Sequence, residues 1–193
     1  MMKFLVIMAS IFSYLSVSSQ TTESITDSRD GKIYKTVQIG SQKWMAENIT
    51  FETDYSWCID CETFGRVYSY ESALKSCPTG WHLPTDSEWT MLIAGLGGFS
   101  EAGGKLKESG TTSWKSPNTG ATNESGFKAI PHGYRSLNGI LNFAKKMGSW
   151  WTSSEENQMR AWSYRLDYDK KSISRVISEK FVGASVRCIK DKE

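Results

Sequence analysis

An α+β fold is predicted by the order of apolar patterns along the chain. A β-hairpin pattern comes first and two helical patterns follow. A long polar segment then precedes a closing run of short strand patterns. Strands and helices grouped in this way, instead of alternating one by one, argue against a parallel α/β sheet. Neither an internal repeat nor a low-complexity tract interrupts the order.

Met1–Lys3 supplies a short positive start, Phe4–Leu15 is mostly apolar, and Ser16–Ser19 offers small residues. That is the layout of a secretory signal peptide, too short and too soon followed by polar residues to remain as a membrane span. Cleavage is expected after Ser19, with residues 20–27 as a flexible polar leader and residues 28–191 as one domain. No cysteine lies near the junction to take a lipid anchor. Removing 19 of the 193 residues leaves 174, enough for one core. Lys3 is the one charge lost, so 23 basic and 21 acidic residues become 22 and 21. A nearly neutral chain argues against nucleic acid or an anionic membrane surface as the partner. With 8 Trp, 8 Tyr and 8 Phe, much of the core must be aromatic.

Asp30-Gly31 is a turn signal, and Ile33, Val37 and Ile39 mark a strand that Gly40-Ser41 turns into a second, Gln42–Ala46. Val67-Tyr68 predicts a short strand, and Ser69–Ser76 a short helix ended by Pro78. Thr85–Leu96 predicts the clearest helix. Thr85 and Glu88 form a capping box, Trp89, Leu92, Ile93 and Leu96 share one face, and Gly97-Gly98 stops it. Residues 97–126 then read as a long loop rich in glycine and threonine, anchored by Leu106 and Trp114. A loop of that length in a compact domain carries function or disorder. Short strands are expected over Phe127–Ile130, Trp150–Thr152, Ala161–Tyr168, Ser172–Ile177 and Ser185–Ile189.

All four cysteines, Cys58, Cys61, Cys77 and Cys188, fall in the exported part, where an even count reads as two disulfides with three connectivities. Cys58 and Cys61 are near enough to bond locally, which would leave Cys77 and Cys188 to close most of the domain. A redox reading of the Cys58–Cys61 spacing lacks a thioredoxin-like βαβ context, and a four-cysteine zinc site lacks its second CxxC.

Asp27–Gly40, Gln42–Asn48, Gly65–Tyr68, Cys77–Pro84, Trp151–Glu155 and Ser185–Asp191, in this order, resemble the Fibrobacter succinogenes major paralogous domain family. The resemblance covers nearly the whole mature chain. It implies a C-type-lectin-like domain with short, mainly antiparallel strands, two helices and a long loop region, in a secreted or surface protein of Bacteroidetes or Fibrobacter. It also implies a Cys77–Cys188 bond, since lectin-like domains tie the first helix to the final strand. Family members commonly carry two further cysteines near Cys58 and Cys61, though often farther apart. A bacterial source makes the Asn48-Ile-Thr50 and Asn123-Glu-Ser125 glycosylation patterns chance matches.

The fold alone names no activity. The Glu-Pro-Asn or Gln-Pro-Asp loop and the Trp-Asn-Asp of calcium-dependent sugar-binding lectins do not occur here. His82 and His132 are the only histidines; His82 reads as a packed, hydrogen-bonded imidazole and His132 as a loop residue. With no Gly-x-Ser-x-Gly elbow and no triad, no enzyme is expected. Asp27, Asp30, Asp54, Asp60, Glu155, Glu156, Asp167 and Asp169 offer oxygen ligands for calcium but lack a calcium-loop spacing, so neither a metal site nor a cofactor is assigned, and bound calcium stays the alternative.

The binding candidates are Trp150, Glu155, Asn157, Arg160 and Tyr164: an aromatic face to stack on sugar C–H surfaces and polar groups to orient hydroxyls. Trp151 is read as core, and Arg135 and Arg187 as internal anchors. The expectation is a secreted or surface-exposed binding or adhesion module for a glycan or a surface protein. The alternatives are an enzyme of the formylglycine-generating, sulfatase-modifying branch of the fold, or a purely structural part of a surface assembly.

Overall fold

The computed structural model describes residues 22–58 and 60–192. The expected signal segment, residues 1–19, lies outside them. Strand β1 (Thr22–Thr26) pairs antiparallel with β2 (Ile33–Ile39), Thr26 opposite Ile33. The leader expected over residues 20–27 is therefore corrected: residues 22–26 are sheet. Their sequence lacks an apolar alternation, but the backbone edge of β2 supplies the partners. Gly40, at φ +58°, turns β2 into β3 (Gln42–Met45) as the sequence predicts.

The remaining elements in chain order are β4 (Ser56–Trp57), α1 (Cys61–Phe64), β5 (Val67–Tyr68), α2 (Tyr70–Ala73), β6 (Trp81–His82), α3 (Asp86–Gly95), α4 (Ala102–Leu106), β7 (Tyr134–Arg135), β8 (Leu141–Asn142), β9 (Met147–Glu155), β10 (Arg160–Asp167), β11 (Ile173–Glu179), β12 (Ala184–Ser185) and β13 (Ile189–Lys190). They build a five-stranded sheet, β1-β2-β3-β13-β6, a six-stranded sheet, β11-β10-β9-β12-β5-β4, and the small β7-β8 hairpin. Among the named strands described, only β12 with β9 runs parallel. The fold is α+β and strand-rich, with two helices more than the sequence predicts: α1 and α4, of 4 and 5 residues.

Helix α3 starts as its capping box requires. The Glu88 amide donates to Thr85 Oγ1 (3.2 Å) and the Thr85 amide to Glu88 Oε2 (2.8 Å). The strand expected over Phe127–Ile130 is reduced to a single bridge between Lys107 and Ala129. That expected over Ser185–Ile189 splits into β12 and β13, in different sheets, because Val186–Cys188 carries the chain from one sheet to the other.

The adjacent tryptophans of β9 point to opposite faces of the sheet, and each enters its own apolar cluster. Trp150 joins Trp44, Trp89, Trp114, Phe127 and Tyr164. Trp44 meets Trp89 edge-on at 5.2 Å, and Trp89 stacks on Tyr164 at 5.0 Å. Trp151 joins Tyr34, Tyr68, Tyr70 and Val186. Both faces of the six-stranded sheet are thus covered near its centre.

Cys77 is bonded to Cys188 across 111 residues, and Cys58 to Cys61 across 3. Arg187, fully buried beside Cys188, donates to Asn48 Oδ1 through Nε (3.2 Å) and Nη2 (2.8 Å) and to the Met45 and Phe127 carbonyls through Nη1. Burial lowers its pKa to about 9. It is the carbonyl anchor the sequence suggests.

The long loop is ordered from within. Leu106 and Trp114 are buried as anchors. The equally buried Lys107 ammonium donates to the carbonyls of Thr119 (3.0 Å), Asp167 (3.2 Å) and Lys170 (2.8 Å). Burial holds its pKa down at about 8. Gly103 and Gly104 let α4 lie against neighbouring backbone, where any Cβ would collide with Ser172 O and Gly120 O.

Candidate functional site

The five residues predicted for binding do not converge on one surface. Trp150 is 0% exposed and its Nε1 donates to Asn48 Oδ1 at 2.9 Å. Tyr164 is equally buried, with its hydroxyl 3.0 Å from Asp86 Oδ1. Neither presents a face to a ligand. Because the sheet is covered on both sides at β9 and β10, an alternation that would expose one of two neighbouring aromatics exposes neither. Trp151 is core, as read, and donates to Tyr68 O at 2.8 Å.

Glu155, Asn157 and Arg160 are exposed and shape the β9–β10 connection. Asn157 Oδ1 accepts from the amides of Met159 (2.8 Å) and Arg160 (3.0 Å), while Arg160 pairs with Glu156 at 3.2 Å. Glu155 holds the Lys180 ammonium at 2.7 Å.

That ion pair borders an apolar cleft of about 430 Å³ lined by Tyr55, Trp57, Ser69, Glu71, Gln158, Lys180 and Phe181. Tyr55 is 73% exposed and Phe181 62%, and Trp57 is partly exposed on the edge strand β4. Tyr55 is held outward by its backbone, at φ +55°. A bulky residue in this left-handed region costs about 1–3 kcal/mol and persists only where its surroundings impose it. Here they do. The Ser56 amide donates to Thr53 O (3.2 Å), Ser56 Oγ exchanges bonds with the Thr53 backbone, Ser69 N donates to Tyr55 O (3.0 Å), and Ser72 Oγ donates to Asp54 O.

Besides its ion pair with Glu155, Lys180 is fixed by three contacts. Its amide donates to Met159 O (3.0 Å), its carbonyl accepts from Tyr70 N (2.9 Å), and its ammonium lies 4.9 Å over the Tyr70 ring. Tyr70 itself is buried, which pushes its hydroxyl up to about 12, so it stays protonated and donates to Ser153 O at 2.7 Å. The cleft walls are thus rigid, while the Tyr55 and Phe181 rings stand free.

Two further depressions adjoin the cleft, one sharing Tyr55 with it and the other Trp57. One, of about 620 Å³, is lined by Thr53, Asp54, Tyr55, Glu71, Ser72 and Lys75, with Glu52 beside them. The other, of about 280 Å³, runs from Trp57 and Cys58 to His132, Arg135 and Leu141. The Arg135 guanidinium stacks on Trp57 at 3.9 Å, so this residue braces a partly exposed ring instead of serving only as an internal anchor. Tyr55 and Trp57 stand as ridges between three adjacent hollows.

His82 lies elsewhere, 2.6 Å from Asp191 Oδ1 and 3.1 Å from the Glu88 carboxylate. His132 is buried, stacks with Phe64 at 5.7 Å, and is pushed down to about 4 by that burial. Of the oxygen ligands weighed for calcium, Asp27 pairs with Arg29, Asp60 caps α1, and Asp167 pairs with Arg165 and Lys170. Among the described residues no three of His, Cys, Asp or Glu converge as metal ligands.

Sequence reasoning passed over Tyr55, Trp57 and Phe181. Their signal is an aromatic residue inside a polar stretch, Asp54-Tyr55-Ser56-Trp57 at the two-residue strand β4 and Lys180-Phe181 in the turn after β11.

Comparison with protein families matches residues 37–190 to the Fibrobacter succinogenes major domain. Neither a curated protein nor a solved structure matches the chain. The family match begins within β2, ends in β13, and takes in both disulfides and every residue that lines the cleft: the chain belongs to the Fibrobacter succinogenes major domain family.

Proposed function

We propose that this protein is an exported, non-enzymatic binding module on a C-type-lectin-like scaffold, and that its ligand is a glycan. The observation that carries the reading is the set of three solvent-facing aromatic rings, Tyr55, Trp57 and Phe181, around one cleft with Glu71, Gln158 and Lys180 at its walls. Aromatic faces take up sugar C–H surfaces, and a few fixed polar groups orient the hydroxyls. The adjoining hollows, which share Tyr55, Glu71 and Trp57 with the cleft, favour an extended oligosaccharide over a single sugar. The formylglycine-generating alternative needs a reactive thiol, and all four cysteines are bonded. The signal peptide expected from the sequence supports reading the module as secreted or surface-exposed.

A glycan array probed with the protein, with and without calcium, tests the proposal. Binding by oligosaccharides that Trp57→Ala abolishes, with an unchanged melting temperature, is the expected result. No glycan bound in either condition, or full binding by both Trp57→Ala and Tyr55→Ala, overturns it. Export is checked by N-terminal sequencing of secreted material, which should begin at Gln20.

A further inference from the structure

We propose that β11 is a self-association edge, through which two copies of this chain pair antiparallel about a two-fold axis at Ile177 and join their six-stranded sheets into one.

Among the described residues, β11 is the outermost strand of its sheet, 7 residues long, and no strand lies on its outer side. The direction of its backbone groups follows from two bonds at its ends. The Ile173 amide points away from β10, to Phe99 O (2.9 Å), whereas the Lys180 amide points along the β10 side, to Met159 O (3.0 Å). Backbone groups alternate in direction along a strand, so Arg175, Ile177 and Glu179 turn their N–H and C=O outward. An unpaired edge of this kind is a template for another strand unless it is blunted. β11 holds no proline and no glycine, and Ile177 at its middle is 44% exposed.

The sequence of the edge selects its partner. A two-fold axis at Ile177 sets Ile177 against its own copy as a hydrogen-bonded pair and sets Arg175 opposite Glu179 of the other chain, twice. All three side chains lie on one face of the sheet, as the exposure pattern of β11 shows. Each Arg175–Glu179 pair is therefore a direct cross-strand ion pair, while Ile177 covers Ile177. Moving the axis to Val176 places Arg175 against Ile177 and leaves both charges unmatched. Arg175 is already oriented for its role. It lies 3.3 Å over Trp162 and gives Nε and Nη2 to Asp86 at 2.6 and 2.9 Å. Its guanidinium carries five N–H groups, more than the Asp86 carboxylate takes up.

Sedimentation equilibrium of the protein as exported tests the pairing, over about a hundredfold range of concentration, since association follows mass action. The expected result is a monomer–dimer equilibrium that Glu179→Lys weakens at least about tenfold, because each copy then sets a lysine against Arg175. Ile177→Pro should abolish it; the amide removed is one that β10 does not use. Ile177→Cys should crosslink two copies under oxidation, since the axis places the two Cα atoms about 5.5 Å apart. Glu179→Cys should not, its two copies lying about 14 Å apart. A wild-type chain that stays monomeric throughout overturns the proposal. So does a dimer that survives both Glu179→Lys and Ile177→Pro, or crosslinking at position 179 but not at 177.

Discussion

Two pairs of aromatic residues in the same six-stranded sheet have opposite fates. Trp150 and Trp151 sit on β9, in the middle, and both are fully buried. Tyr55 and Trp57 sit at the β4 edge, and both reach solvent. Residue type does not separate them. Position does: a central strand has a cluster packed on each face, whereas the edge strand has 2 residues and a turn that holds its aromatic ring outward. In this fold an aromatic side chain is core by default and becomes a candidate ligand contact only where the sheet runs out.

The largest effects should come from what fixes the sheet centre. Cys188→Ser opens the bond that closes a 111-residue span, for which the chain-entropy model gives about 4.7 kcal/mol. Cys61→Ser opens a span of 3 residues beside the partly exposed Trp57 and should cost much less. Denaturant unfolding of both variants checks the order, and near-equal losses would show that the two regions are not distinct in stability. Trp150→Ala should follow at about 3–5 kcal/mol, the usual loss for a buried tryptophan. It also leaves Asn48 with one donor fewer beside the buried Arg187. If Trp150→Ala instead kept its stability, the ring would not be the core residue that its burial makes it.

At the edge the same substitution should do little to stability. Trp57→Ala should cost less than about 1 kcal/mol while removing glycan binding, and thermal unfolding beside a binding isotherm separates the two effects. Position 55 sharpens the contrast. Glycine is at ease at φ +55° and alanine is not, so Tyr55→Gly should be more stable than Tyr55→Ala by about 1 kcal/mol, with binding lost in both. The reverse order would mean that the turn at Tyr55 is not held in the left-handed region.

Local features were legible in the sequence, and those assembled from distant parts were not. The capping box of α3 spans Thr85 to Glu88 and the β2–β3 turn spans Gly40 to Ser41, so each is written within one window. The Cys77–Cys188 bond was accessible through family resemblance, because spacing alone leaves three connectivities. β1 was missed since Thr22–Thr26 has no apolar alternation and owes its form to β2. The cleft was missed because Tyr55, Trp57 and Phe181 are brought together from the two ends of the domain by the passage of the chain from β11 to β12. Trp150 was misplaced for the converse reason: one strand's pattern does not tell whether its second face is covered.

The smallest effect distinguishes two histidines by the sign of their coupling to pH. Burial works against the charge on His82, but the hydrogen bonds its ring N–H groups donate to the Asp191 and Glu88 carboxylates outweigh it, and its pKa is raised above the ordinary 6.5. Its contribution to stability is therefore complete below pH 6.5 and is lost as pH rises through the folded-state value. His132 is displaced the other way, to about 4 by burial, so its coupling lies below pH 6.5 and is silent above it. Lys107 is held at about 8 against an ordinary 10.5, so the unfolded chain binds the extra proton there and stability rises with pH above 8. Between pH 6.5 and 8 the slope from these three groups belongs to His82 alone. Denaturant midpoints should fall with pH in that window for the wild-type chain and lose that fall in His82→Gln. A fall that persists in the variant would show that the ion pairs to Glu88 and Asp191 do not secure the last strand against α3.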